Sequence, residues 1–200
     1  IVDTIKIEQE LLYYGNIIAS GTHPVIYVGD NWTSVGGIFT AGSSTVILNA
    51  QSGTKDITQG VSSFNNLIIN GSSGTIYQLN STTTLTGSLS ILGGTLNFNG
   101  YDMTVGGNWI CNGGLFTSGT RTVTFNATSG TVNITPSTSS FYNVVFNSGN
   151  GTGNATFTIG TTSVSTMTVT NNFTISRGTI DLSPDGGTTS NNLSIGNRFY

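Results

Sequence analysis

A long stretch of this chain is present twice. Val28 to Asn70 aligns without a gap on Val105 to Asn147 at a constant offset of 77 residues, and 23 of those 43 positions are identical. The matches include Asn31/Asn108, Trp32/Trp109, Gly36-Gly37/Gly113-Gly114, Phe39/Phe116, Gly42/Gly119 and Ser62-Ser63-Phe64/Ser139-Ser140-Phe141. Compositional bias does not place two tryptophans and two Ser-Ser-Phe runs in one register. A fixed period enclosing short apolar runs is the mark of an architecture in which repeats stack and each buries its neighbour.

The composition limits what those repeats are made of. Charged residues are 6 % of the 200, against roughly 25 % in ordinary soluble domains. Ser, Thr, Asn and Gly cover the surface instead: 24, 34, 22 and 28 residues, more than half of the chain. A disordered chain of this polarity would lack aromatic and β-branched residues, yet here are ten Phe, seven Tyr, two Trp and many Val and Ile. Thr, Val, Ile, Phe and Tyr favour strands, and Asn and Gly favour tight turns. The expectation is an all-β, folded protein.

Net charge is −3 with no basic stripe, so nucleic acid is not an expected partner. No run of 18 apolar residues exists, so no transmembrane segment is expected. The chain opens at Ile1 without Met, which suggests a processed, exported protein. Cys111 is the only cysteine and aligns with Ser34, so the fold needs no sulfur there and has no internal disulfide.

Residues 1–20 stand apart as an N-terminal arm or cap, and residues 21–200 form the repeat domain, with units at about 25–104 and 105–194. Four of the thirteen charges, Asp3, Lys6, Glu8 and Glu10, fall in the first ten positions. Ile7, Leu11 and Tyr14 are spaced as on a helix, whereas Ile5 and Ile7 alternate as on a strand, and both readings stay open. From Val25 onward the chain reads as strands of three to five residues between Gly and Asn turns, with no helical period. Leu85-Thr86 through Phe98 recurs loosely as Val169-Thr170 through Leu182 at an offset of 84, which implies about seven inserted residues within Asn147 to Thr162. Ile195-Gly196-Asn197-Arg198-Phe199 echoes Val105-Gly106-Gly107-Asn108-Trp109, as if a third unit were beginning.

A period of 77 is too long for one winding of a β-solenoid. It predicts three windings of roughly 26 residues or four of roughly 19. The paired Asn49/Asn126, Asn66/Asn143 and Asn70/Asn147 suit amide ladders at the corners. The expected fold is therefore a parallel β-helix, with a β-sandwich or jelly roll as the rival. The sandwich accounts for the turn spacing but not for an ungapped internal copy.

Segments such as Ser63-Phe64-Asn65-Asn66-Leu67-Ile68-Ile69-Asn70, Gly94-Thr95-Leu96-Asn97-Phe98-Asn99-Gly100-Tyr101 and Phe116-Thr117-Ser118-Gly119-Thr120-Arg121-Thr122-Val123-Thr124-Phe125-Asn126 resemble the repeats of bacterial and archaeal cell-surface β-solenoids of the haemagglutinin and adhesin type. The resemblance covers roughly Val25 to Phe199. It implies a surface-exposed fibrous protein, with no enzymatic residues to carry over.

Little in the chain suggests catalysis. His23 sits before Pro24 and reads as a turn residue. Asp30, Asp56, Asp102, Asp181 and Asp185 are scattered, and the repeat keeps neither Asp30 nor Asp56, which align with Gly107 and Asn133. Asp181 to Gly186 reads as a turn, since a calcium loop carries more acidic positions. No catalytic residue, metal site or cofactor is expected. Trp32 and Trp109 are either core residues or sugar-stacking platforms, and their shared register favours the core. Asn-x-Ser/Thr sequons at Asn31, Asn70, Asn80, Asn126, Asn133, Asn150, Asn154, Asn172 and Asn192 are candidate glycan acceptors.

A winding stack has two open ends, each a template for further strand addition. The sequence-based expectation is a structural subunit of an extracellular, pilus-like filament on the cell surface, a homopolymer joined head to tail through Ile1, Val2, Ile5, Ile7, Leu11, Tyr14, Phe199 and Tyr200. The alternative is an adhesin or phage-type fibre segment that binds glycans or cell surfaces.

Overall fold

Alternate residues of each short strand are apolar, and in this computed structural model those residues point into one continuous core. Val25–Val28 and Thr45–Leu48 show the pattern: Ile26, Val28, Val46 and Leu48 are buried, and their neighbours face outward. Residues 3–149, 154–160, 165–183 and 191–200 are described. Among them there is no helix, and all named strand pairings are parallel.

The chain winds as a three-sided β-solenoid. The first face carries nine strands in one sheet: Thr4–Ile7, Val25–Val28, Thr45–Leu48, Asn66–Asn70, Leu89–Gly93, Trp109–Cys111, Thr131–Thr135, Thr156–Ile159 and Thr179–Asp181. The second runs from Leu11–Tyr13 through Trp32–Ser34, Thr54–Thr58, Ile76–Leu79, Thr95–Asn97 and Leu115–Thr117. It narrows to a single bridge at Phe141 and resumes as Thr166–Val169 and Asn192–Ile195. The third face begins with Ile17–Ile18 and Phe39–Thr40 and narrows to a bridge at Phe64. It continues as Thr83–Leu85, Met103–Val105, Thr122–Phe125, Asn143–Asn147, Asn172–Arg177 and Arg198–Phe199. Nine strands on the first face mean eight returns to it, so the solenoid has about eight turns.

The windings are not those expected from the period. The step from one strand to its stacked neighbour runs from 19 residues (Ile76 to Thr95) to 30 (Asn147 to Arg177, past a register shift), and the 77-residue copy is not a whole number of windings. Val25–Val28 lies on the first face, and its duplicate Met103–Val105 lies on the third. Trp32–Ser34 on the second face maps to Trp109–Cys111 on the first, and Phe39–Thr40 on the third maps to Leu115–Thr117 on the second. Every element moves by eleven sides, or three and two-thirds windings. The two copies are therefore related by a screw that includes a third of a turn, rather than by translation alone. The physical reason is that each side is a short strand with its alternate residues buried. A side sequence thus needs a whole number of sides, not of windings, to find an equivalent place. The offset of 84 is reached in two steps, three residues between Asn147 and Thr156 and four between Ile159 and Thr166. Residues 150–153 and 161–164 of these stretches lie outside the described residues, as do Pro184, Asp185 and Gly186 of the expected turn.

Residues 4–18 are extended. Their helix-like spacing loses to pairing with the next winding, where Thr4–Ile7 lies in register on Val25–Val28, Leu11–Tyr13 on Trp32–Ser34, and Ile17–Ile18 on Phe39–Thr40. This segment is the first winding of the stack.

The duplicated residues build one core unit twice. Trp32 meets Phe39 and Phe64 edge-on, each at 5.0 Å between ring centres. Trp109 meets Phe116 at 5.0 Å and Phe141 at 5.1 Å in the same manner. Supporting polar contacts repeat too. The Ser62 and Ser139 hydroxyls accept from the Phe39 and Phe116 amides at 2.8 and 3.0 Å. Asn31 and Asn108 Oδ1 each accept the amide of the next winding, from Asp56 and Asn133, at 2.8 Å. The Ser34 hydroxyl donates to the Gly37 carbonyl at 3.1 Å, and the Cys111 thiol donates to the Gly114 carbonyl at 3.2 Å. Gly29, Gly106 and Gly196 sit where the corner of one winding crosses the last. A Cβ there would stand 2.4, 2.5 and 2.4 Å from the carbonyl oxygens of Glu8, Thr86 and Thr170. Only glycine lets the windings close at these three corners, one after each face.

Asparagine laddering occurs at one of the expected positions, Asn143, and otherwise runs through asparagines outside the repeat pairs. Asn197 donates to Asn171 and Asn171 to Asn143, both at 2.9 Å, down one corner of three windings. Asn66 instead accepts the Ser88 amide. The Oδ1 atoms of Asn49 and Asn126 are both buried without a hydrogen-bond partner.

Candidate functional site: the two end windings

Most interior strands are paired on both sides, except beside the single-bridge positions Phe64 and Phe141, where Phe39–Thr40, Thr83–Leu85 and Leu115–Thr117 each end a sheet. The groups otherwise available for interaction lie on the outer faces and at the ends. At the N-terminal end, Thr4–Ile7, Leu11–Tyr13 and Ile17–Ile18 each have one partnered edge, and none has a second partner among the described residues. At the C-terminal end the same holds for Thr179–Asp181, Asn192–Ile195 and Arg198–Phe199. Such an edge presents a row of N–H and C=O groups ready to pair.

The core reaches both ends. Register fixes which residues point inward, because neighbours across a parallel ladder share a face. Ile5 opposes Ile26, Ile7 opposes Val28, Leu11 opposes Trp32, Tyr13 opposes Ser34, and Ile17 opposes Phe39. At the other end Ile180 opposes Phe157, Leu193 opposes Met167, Ile195 opposes Val169, and Phe199 opposes Phe173. Ile5 is 53 % exposed and Phe199 61 %, although Ile26 and Phe173 beneath them are buried. Phe199 stacks on Phe173 at 5.4 Å with the rings 12° apart, leaving its other side open. A groove of about 220 Å³ opens beside Ile5, Ile17 and Ile18.

Of the interface residues expected from the sequence, Ile5, Ile7, Leu11 and Phe199 face inward at an open end. Tyr14, 70 % exposed, lies on the turn that follows Leu11–Tyr13. Tyr200 is exposed, and its hydroxyl accepts from Arg198 Nη1 at 2.9 Å. Ile1 and Val2 lie outside the described residues. Tyr13, Ile17, Ile180, Leu193 and Ile195 were missed. The signal that finds them is alternation within the end strands, read together with the register onto a neighbour.

The other candidates separate by burial. Trp32 and Trp109 are fully buried, so neither offers a sugar platform. Of the sequons, Asn70, Asn154 and Asn192 are exposed, whereas Asn31, Asn80, Asn126, Asn133 and Asn172 are half-buried. Asn150 lies outside the described residues. His23 occupies an exposed turn with φ of 59°, its amide donating to Ser43 Oγ at 3.2 Å. Asp30 pairs with Lys55 at 2.9 Å, Asp56 accepts from Gln78, and Asp102 accepts the Thr122 amide. Among the described residues no three His, Cys, Asp or Glu side chains gather as a metal site would require. Cys111 is buried, and burial pushes its thiol up to about 11 from 9.0. Burial likewise pushes the Tyr77 hydroxyl up to about 12, against the opposing effect of the Ala50 amide that donates to it. Among the described residues no helix is long and apolar enough to cross a membrane.

Comparison with protein-family models, with curated proteins and with solved structures gave no match in any of the three.

Proposed function

We propose that this chain is the structural subunit of an extracellular, pilus-like filament on a cell surface, assembled head to tail by parallel strand addition. One observation supports the reading: on all three faces, both end windings combine a strand edge that has no partner among the described residues with apolar residues at the inward positions. A second copy set on the end satisfies both at once, pairing three edges and covering the core cross-section. Because head and tail are different surfaces, the contact does not close on itself and propagates as a fibre.

The distribution of exposed apolar side chains supports this. Among the described residues thirteen large apolar side chains are exposed: six, Ile5, Leu12, Tyr14, Ile18, Phe199 and Tyr200, belong to the first and last windings, and the other seven, Val61 among them, are spread over the windings between. The lateral surface is mostly Thr, Ser and Asn, suited to solvent rather than to close packing. Burial removes Trp32 and Trp109 as sugar-stacking platforms for the glycan-binding alternative.

The test uses the purified chain. Light scattering across a concentration series is expected to show growing assemblies, and negative stain to show thin unbranched filaments. Phe199→Asp puts a charge at the open end of a residue already 61 % exposed, so the subunit stays folded by circular dichroism while assembly stops. A strictly monomeric wild-type chain at every concentration refutes the proposal.

A further inference from the structure

Taking the head-to-tail reading as its basis, the geometry points to one specific joint, in which Thr4–Ile7 of one copy lies on Thr179–Asp181 of the next with Lys6 directly opposite Asp181.

Three constraints select it. The first is parity. Ile5 and Ile7 point inward at the head, and Ile180 points inward at the tail. A one-residue slip would turn the apolar set of one partner out to solvent. Setting Ile5 on Ile180 puts Lys6 on Asp181, both on the outward side of the ladder, where Lys6 is exposed and Asp181 half-buried above Thr158.

The second is slip by two residues, which keeps parity. One such slip sets Asp181 against Glu8, two like charges side by side. The other sets it against Thr4 and leaves Lys6 facing Ser183. Only the unslipped register brings opposite charges together, and like charges across a ladder are destabilising.

The third is rotation. The internal copy shows that equivalent side sequences occupy different faces, so core packing alone does not distinguish three dockings a third of a turn apart. The rotated dockings set Thr4–Ile7 on Asn192–Ile195 or on Arg198–Phe199, where Lys6 finds no acidic side chain. The chosen joint also continues the chain's path. The last strand lies on the third face and the first strand of the next copy lies on the first.

Both groups are available. Lys6 is exposed, with Nζ 5.7 Å from the centre of the Tyr27 ring one winding inward. Asp181 Oδ1 accepts the Ser183 amide at 2.8 Å, which holds the carboxylate at the edge and leaves Oδ2 to a partner. The partner is thus a second copy of this chain, recognised by an apolar cross-section and one ion pair that sets its register and rotation.

The experiment combines charge exchange with cross-linking. Lys6→Glu alone and Asp181→Lys alone are each expected to raise the critical concentration for assembly about threefold to tenfold. Lys6→Glu with Asp181→Lys in one chain restores it to within about twofold of wild type. Under mild oxidation, Lys6→Cys with Asp181→Cys gives a ladder of disulfide-linked oligomers. Lys6→Cys with Thr179→Cys, two residues out of register, does not, since those Cα atoms lie about 8 Å apart, beyond disulfide reach. Cys111 is buried and does not compete. If wild type assembles but the single reversals have no effect, or the out-of-register pair links equally well, this joint is wrong and the filament reading stands. If wild type does not assemble, for example because further windings of a longer chain cover these edges instead, both fall.

Discussion

Removing the two equivalent tryptophans one at a time gives unequal losses, and the inequality can be worked from the ring geometry. Trp109 sits in the sixth winding against Phe98, Phe116, Phe125 and Phe141, at 6.5, 5.0, 6.1 and 5.1 Å. Trp32 sits in the second winding against Tyr13, Phe39 and Phe64, at 5.7, 5.0 and 5.0 Å. Truncating a buried aromatic to alanine costs roughly 3–5 kcal/mol, and the spread reflects how far the surroundings collapse into the hole. Around Trp109 every neighbour is held by windings on both sides. Around Trp32 the first winding supplies Tyr13 and is free to settle inward. One aromatic pair is worth about 0.5–1.5 kcal/mol beyond its area. Trp109→Ala is therefore expected near the top of the range and Trp32→Ala about 1 kcal/mol below it. Both indole Nε1 atoms are buried without a hydrogen-bond partner, a penalty that phenylalanine removes. The Trp→Phe variants are accordingly expected to lose less than about 2 kcal/mol. Since the chain has two tryptophans, each single variant leaves one as a fluorescent reporter for urea unfolding, with circular dichroism as the global probe. Equal losses, or a larger loss at Trp32, would refute this account of the core.

Further expectations follow from single positions. Gly106→Ala drives a Cβ to 2.5 Å from the Thr86 carbonyl oxygen and should cost about 1–3 kcal/mol, whereas Gly15→Ala meets nothing within 4 Å and should be neutral to within about 1 kcal/mol; paired urea midpoints check both. Cys111→Ser copies Ser34 and is expected within about 1 kcal/mol of wild type at pH 7. The folded thiol keeps its proton to about pH 11 while the unfolded one releases it near 9, so folding stability falls as pH rises through that window, by about 2–3 kcal/mol, and the serine variant lacks this component in urea midpoints taken from pH 7 to 11. Tyr77→Phe strands the buried Ala50 amide, which donates to the phenol oxygen at 2.6 Å, and should cost about 1–3 kcal/mol in the same assay.

The duplication and the alternation of buried residues in Thr45–Leu48 and Thr122–Phe125 made the stacked all-β fold legible. The length of a winding was not, because the repeat counts sides and 77 residues end two-thirds of the way round a turn. Residues 4–18 were ambiguous for a local reason. Ile7, Leu11 and Tyr14 satisfy a helical spacing, and only the in-register partner Val25–Val28 makes the strand win. The end surfaces were half legible. Ile5, Ile7, Leu11 and Phe199 are apolar at the termini, but Ile180, Leu193 and Ile195 read as ordinary core until the pairing shows that nothing follows them among the described residues. The Asn49/Asn126 pair misled, since identity in register marks an equivalent environment and not a ladder.

Cryo-electron microscopy of the assembled protein tests the filament most directly. The nine stacked strands of the first face, at roughly 4.8 Å each and with the same step across the joint, give an axial rise of about 43 Å per subunit, with strands perpendicular to the axis and their spacing unbroken across each joint. A rise of that size with density for Thr4–Ile7 against Thr179–Asp181 is the expected result. Filaments built by side-to-side packing, or joints where the strand spacing is interrupted, would contradict it.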